Sequence, residues 1–149
     1  MPLVCKYIAL HVHDLRRAVE LYGPTFGMQV ALRETERDGE WWTVPHDASW
    51  DDVAAGGVDV QMAALRRDEL VLVLFRGAPT SGTVYEISLG LPRDEIERLE
   101  ADLPDDVQVI ERGDAFLRFD DPFGFRWVVQ PEDAKFRSSG EIAGRWLEV

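Results

Sequence analysis

The sequence of 149 residues holds a single cysteine, three histidines and fewer basic than acidic side chains, and no apolar run of membrane-spanning length. Each shortage excludes something. One thiol, Cys5, cannot close an intramolecular disulfide. It fits a reducing compartment, where it reads as a small buried hydrophobe on an opening strand. No stretch approaches the roughly 18 apolar residues of a spanning helix, so a membrane is not expected as a partner. Met1 to Lys6 shows no basic region followed by a long apolar stretch, so no secretory signal is expected and a cytoplasmic location is. With 16 basic against 28 acidic residues the formal net charge is −12. Such a surface repels phosphate backbones and argues against nucleic acid as a partner, while it favours solubility and steers cations inward. No Ser-His-Asp or Cys-His arrangement carries a local signature.

What is present is a duplication. Tyr7-Ile8-Ala9-Leu10-His11-Val12 aligns with Glu86-Ile87-Ser88-Leu89-Gly90-Leu91 at an offset of 79 positions, and at the same offset Met28-Gln29-Val30 falls on Val107-Gln108-Val109 and Arg33 on Arg112. A fixed internal period marks two copies of one supersecondary unit that bury their apolar faces together. The unit reads strand, helix, then three strands. An α+β domain spanning 1–131 is expected, with module one over 3–78, module two over 83–131 and a tail at 132–149.

Along the first module, residues 3–12 read as a strand. Asp14 is placed to cap a helix whose apolar stripe is Leu15, Ala18, Val19 and Tyr22, and Gly23-Pro24 is expected to stop it. A strand opens at Met28 to Arg33. Residues 34–57 then interrupt the repeat with a polar stretch carrying Trp41, Trp42, Trp50 and His46, read either as a lid on a pocket or as a local cluster covering the sheet. Val58 to Leu65 and Leu70 to Phe75 form a hairpin around Arg66 to Glu69, and Pro79 to Gly82 is a turn-rich joint. In the second module Pro92 opens a helix with inward Ile96, Leu99 and Leu103. Strands follow near 107–112, 115–119 and 125–130.

Two motifs resemble one family. The run Tyr7 to Met28, with its Asp14-Leu15 helix start, Leu21-Tyr22 and closing Phe26-Gly27-Met28, resembles the opening of vicinal oxygen chelate proteins, the group of glyoxalase I, bleomycin-resistance proteins and extradiol dioxygenases. Phe119-Asp120-Asp121-Pro122-Phe123-Gly124-Phe125-Arg126-Trp127 resembles the family's final Asp-Pro-x-Gly hairpin. The resemblance covers roughly residues 4–131. It implies two tandem βαβββ modules forming a cup-shaped, half-barrel mixed sheet, the glyoxalase/bleomycin resistance fold. It also implies a homodimer.

In the family's enzymes a divalent metal is held by residues from the first and last strand of each module, typically His or Glu. Carried onto this chain, those positions are Tyr7, Leu72 or Leu74, Glu86 and Val128, of which only Glu86 is a ligand type. No cofactor is therefore expected. A divalent metal is the alternative, with His11, His46 and Glu86 as a rebuilt ligand set. The resemblance then implies a metal-independent small-molecule-binding protein, sequestering an antibiotic or another cationic or aromatic ligand. Tyr7, His11, Trp42, Glu86, Ser88, Arg126 and Val128 are its candidate contacts. The enzymatic alternative is a lyase, isomerase or dioxygenase with a rearranged metal site, or a metal-free catalyst using Glu86 as general base. A carboxylate on an inward-facing strand needs a partner, and strand alternation suggests Arg126 for Glu86.

Overall fold

The computed structural model describes residues 7–78, 84 and 86–132. Cys5, the first residues of the opening strand, the joint at Pro79 to Gly82 and nearly all of the tail lie outside them. The chain divides into two compact units, Met1–Thr83 and Val84–Val149. The first contains β1 (Ile8–Val12), α1 (Leu15–Phe26), β2 (Gln29–Arg37), β3 (Glu40–Thr43), α2 (Trp50–Ala55), β4 (Met62–Arg67) and β5 (Leu70–Arg76). The second contains β6 (Ile87–Gly90), α3 (Arg93–Asp102), β7 (Gln108–Gly113), β8 (Phe116–Asp120) and β9 (Arg126–Gln130).

The sheet orders are β1-β5-β4-β2-β3 and β6-β9-β8-β7. Without the extra β3 they are one topology. In both, the first strand runs parallel to the last and the remaining pairs are antiparallel. The duplication reaches single residues. Leu10 pairs with Leu74 and Leu89, 79 positions on from Leu10, pairs with Val129. The register shift between Val30 and Leu32 recurs, at the same offset, between Val109 and Glu111. A β-bulge kept at one place in both copies is part of the unit's design, because it bends the strand and strengthens its twist. The architecture is the expected α+β pair of βαβββ modules, each with an open mixed sheet.

The helices α1 and α3 each cover one face of their own sheet. Asp14 accepts the Arg17 backbone N–H at 3.0 Å and starts α1, which buries Leu15, Ala18, Val19, Leu21, Tyr22 and Phe26 and packs on β2, β4 and β5. Facing it are Leu10, Val12, Ala63, Leu65, Leu72 and Leu74, all buried. Each large side chain removed from water in this way contributes about 1.5–3 kcal/mol. The expected stop at Gly23-Pro24 is corrected, for α1 runs through Pro24 to Phe26. Proline removes one N–H, but Pro24 and Glu20, whose carbonyl loses its donor, are both on the exposed side. The helix ends at Gly27, whose φ of 61° needs glycine and whose N–H reaches Gly23 O. In module two Pro92 is the N-cap of α3 rather than its first residue, and Ile96 and Leu99 are buried, with the helix packed on β8 and β9. Leu103, at the C-cap, is half-buried.

The 34–57 stretch is more ordered than its polarity suggests. Asp38 and Gly39, with φ of 54° and 80°, turn β2 into β3, the Asp-Gly pattern of a tight hairpin. Ser49 and Asp52 form a reciprocal capping box that opens α2. The strand expected at Val58 begins only at Met62. The intervening Asp59 carbonyl instead accepts the Thr35 hydroxyl at 2.7 Å.

Candidate functional site

The face of the module-two sheet away from α3 is built by alternation. Ile87, Trp127, Val129, Leu117 and Phe119 point to the buried side, which leaves Glu86, Ser88, Arg126, Val128, Gln130, Arg118 and Asp120 on the other. Register aligns them: Ser88 lies opposite Val128, Arg118 opposite Val128 from the other side, and Asp120 opposite Arg126. Charged side chains there form two sets. Arg118 Nη2 donates to Glu86 Oε1 at 3.4 Å, and its Nη1 donates to Glu111 Oε2. Arg126 grips Asp120 with both arms of its fork, Nε to Oδ1 at 2.7 Å and Nη2 to Oδ2 at 3.0 Å. Gln130 Nε2 donates to Ser88 Oγ at 3.1 Å.

The expected Glu86–Arg126 pair is thus corrected. Asp120 sits directly across from Arg126 and meets its planar fork head-on, so Arg126 is engaged there while Arg118 reaches Glu86. The hydrogen bonds from Arg126 hold the Asp120 carboxyl below its usual value, against an opposing effect of burial. Arg118 and Glu111 are not among the candidates read from the sequence, where Asp120 enters only as part of the Asp-Pro-x-Gly motif. Strand alternation over 115–119, already legible, would have put Arg118 on the Glu86 side.

In module one the corresponding face carries Tyr7, Ala9 and His11 on or beside β1, and Val71, Val73 and Phe75 on β5, since Ala9 pairs with Val73 and His11 with Phe75. Rings gather at its end. His11 and Phe75 have centroids 6.1 Å apart, and Trp41 turns an edge to Phe75 at 6.3 Å. Trp41 comes from β3, across the intervening β2 and β4. Trp42 is paired with Thr35, whose side chain is buried on the helix side, and is itself 57% exposed. Tyr7 is 61% exposed, and His13 and His46 are exposed.

The register also corrects one family position. Matching Leu10–Leu74 to Leu89–Val129 makes Val73 the counterpart of Val128, whereas Leu72 and Leu74 point into the core at 2% and 0% exposure. Under the family resemblance, the expected ligand positions are then Tyr7, Val73, Glu86 and Val128. They offer one carboxylate, already bonded to a guanidinium, one phenol and two alkyl groups. That donor set does not fit a divalent cation, which takes several imidazole, thiolate or carboxylate ligands. Among the described residues no group of three or more His, Cys, Asp and Glu is close enough to hold a metal ion.

The Asp-Pro-x-Gly turn is structural. Asp121 is buried, and its Oδ1 accepts the backbone N–H groups of Phe123 at 2.8 Å and Phe125 at 3.0 Å. Its Oδ2 accepts the Trp127 indole N–H at 2.8 Å. Trp127, 1% exposed, is therefore a core residue.

No family model matches the chain, and no curated protein matches its sequence. Solved structures do. The chain is similar to the trypanothione-dependent glyoxalase I of Leishmania major, with 19% identity, TM-score 0.56 and 88% of each chain covered. It is similar to the fosfomycin resistance protein FosX of Mesorhizobium loti, with 11% identity and TM-score 0.60 over 87% of this chain and 92% of that one. A third likeness is a mutant FosX of Listeria monocytogenes complexed with Mn(II) and 1S,2S-dihydroxypropylphosphonic acid, at 12% identity and TM-score 0.55, covering 88% and 93%. The fold is that of the vicinal oxygen chelate superfamily.

Proposed function

We propose that this chain, with the fold of the vicinal oxygen chelate superfamily, is a metal-independent small-molecule-binding protein that sequesters a cationic, aromatic compound. One observation carries the reading. Glu86, the one carboxylate at a ligand position of the fold, is neutralised by the neighbouring arginine Arg118, while Val73 and Val128 offer no donor at their positions. Among the described residues, Glu86, Glu111 and Asp120 against Arg118 and Arg126 leave one negative charge in excess on this face. A ligand cation complements that excess, and the surface charge of −12 steers it there. Ser88 and Gln130 supply hydrogen-bonding groups beside it, whereas Val128, expected as a contact, is 3% exposed and belongs to the core. The His11, Phe75 and Trp41 rings of module one offer a stacking surface of their own. The reading includes a cytoplasmic homodimer.

A thermal-shift screen of cationic aromatic antibiotics tests this. A ligand at 100 times its Kd adds about 2.7 kcal/mol and raises Tm by several degrees. Glu86→Gln is expected to weaken a hit about tenfold. A hit whose affinity is unchanged in Glu86→Gln and lost on adding EDTA would overturn the proposal in favour of a metal-dependent enzyme.

A further inference from the structure

Glu86, Glu111 and Asp120 share only Arg118 and Arg126 among the described residues of the module-two face, so they do not pair one to one. Arg126 gives Asp120 two bonds, at 2.7 and 3.0 Å. Arg118 is divided. Its Nη1 bonds Glu111 closely, while its Nη2 reaches Glu86 Oε1 only at 3.4 Å, beyond the usual span of such a bond. Among the described residues no other donor meets Glu86, and its Oε2 accepts no hydrogen bond. Glu86 is therefore the loosely held carboxylate of the set. It is also better sheltered than Glu111, with side chains 21% and 56% exposed. A sheltered carboxylate gains more from a close cationic partner than an exposed one does.

Arg118 has a second resting place. Its guanidinium lies over the Phe116 ring, 5.2 Å from the centroid, and Phe116 stands two positions earlier on β8, on the same face. Held by Glu111 and by this ring, Arg118 gives up Glu86 without being stranded. A cation that takes its place balances the face, with Glu111 on Arg118, Asp120 on Arg126 and Glu86 on the ligand.

We infer that Arg118 is an internal occupant of Glu86 which the ligand displaces, and that the ligand's cationic group is an amidinium or guanidinium. This deepens the reading of Glu86 as anchor of the small-molecule site, and rests on it. A planar amidinium presents two parallel N–H groups and fills both oxygens of Glu86, where Arg118 fills one. A quaternary ammonium carries no N–H to replace the bond it breaks.

The test is calorimetric titration of the full chain with benzamidine and with benzyltrimethylammonium. Benzamidine is expected to bind the parent about fivefold more tightly than the quaternary ion. Its affinity is expected to rise about threefold in Arg118→Lys and in Arg118→Gln, and to fall about tenfold in Glu86→Gln. Arg118→Lys keeps the charge without the fork, so tighter binding there reports a vacated Glu86 and not a change in net charge. Unchanged or weaker benzamidine binding in Arg118→Lys, or equal affinity for the two cations, would overturn the inference, while a loss in Glu86→Gln would still leave Glu86 as the anchor. Benzamidine binding that ignores Glu86→Gln, or is absent from every variant, would overturn both. Should Arg118→Gln fail to fold, Arg118→Lys and the comparison of cations on the parent decide the matter.

Discussion

Arg118 reaches Glu86 from one amino group and Glu111 from the other, and at the scale of single residues the same economy recurs: each carboxylate on the module-two sheet has a defined donor. Asp120 is held ionised by Arg126. Its folded pKa lies below the unfolded value near 3.8, so the stability it contributes is present above that value and is lost as the pH falls through the folded one. Asp120→Asn is expected to be less stable than the parent at pH 7, with the gap closing under strong acid. Urea denaturation at both pH values checks this. Asp121 is a different case, since it organises the final turn through two backbone N–H groups and the Trp127 indole. Asp121→Ala leaves these donors without their acceptor and is expected to cost about 3 kcal/mol, measured as a lowered denaturation midpoint. The sequence motif around Asp121 was legible as a family signature, but its physical role was not, because the partners are backbone groups that only the folded turn brings to one carboxylate.

At the scale of elements, Arg33 and Arg112 show what the insertion does. They occupy one place in the repeat. Arg112 is exposed and paired with Glu100. Arg33 is 6% exposed; its Nη2 donates to the Pro45 carbonyl at 3.1 Å and to that of Ala48, and its guanidinium stacks on Trp50. It therefore pins the loop between β3 and α2 to the sheet. Arg33→Ala is expected to destabilise by about 3 kcal/mol, because two carbonyls lose a charged donor. Arg33→Lys recovers only part of this, lacking the planar fork. Near-UV circular dichroism reports the loss of Trp50 packing. The strands and helices of both modules were legible from apolar periodicity, since burial of one face imposes it. The insertion was not, because β3 is exposed at all four positions and sits at a sheet edge, where no apolar pattern is required. Its signals were local ones, Asp38-Gly39 and the Ser49–Asp52 box. The pairing of Glu86 was misread because Arg118 and Arg126 share a face and only register tells which carboxylate each meets.

At the scale of the whole molecule, two copies of one module have diverged in opposite directions. Module one kept an aromatic face and gained an insertion, and module two kept a charged face with one carboxylate in excess among the described residues. The duplication was visible as a 79-residue offset and persists down to the bulges. On the proposed reading, what the fold could hold depends on the four positions that the family resemblance implies, and three of those four are not carboxylate or imidazole. Elemental analysis of the full-length protein purified without chelator tests this most directly. Metal well below one equivalent per chain, unchanged in Glu86→Gln, is the predicted result. A stoichiometric divalent ion that disappears in Glu86→Gln would contradict it.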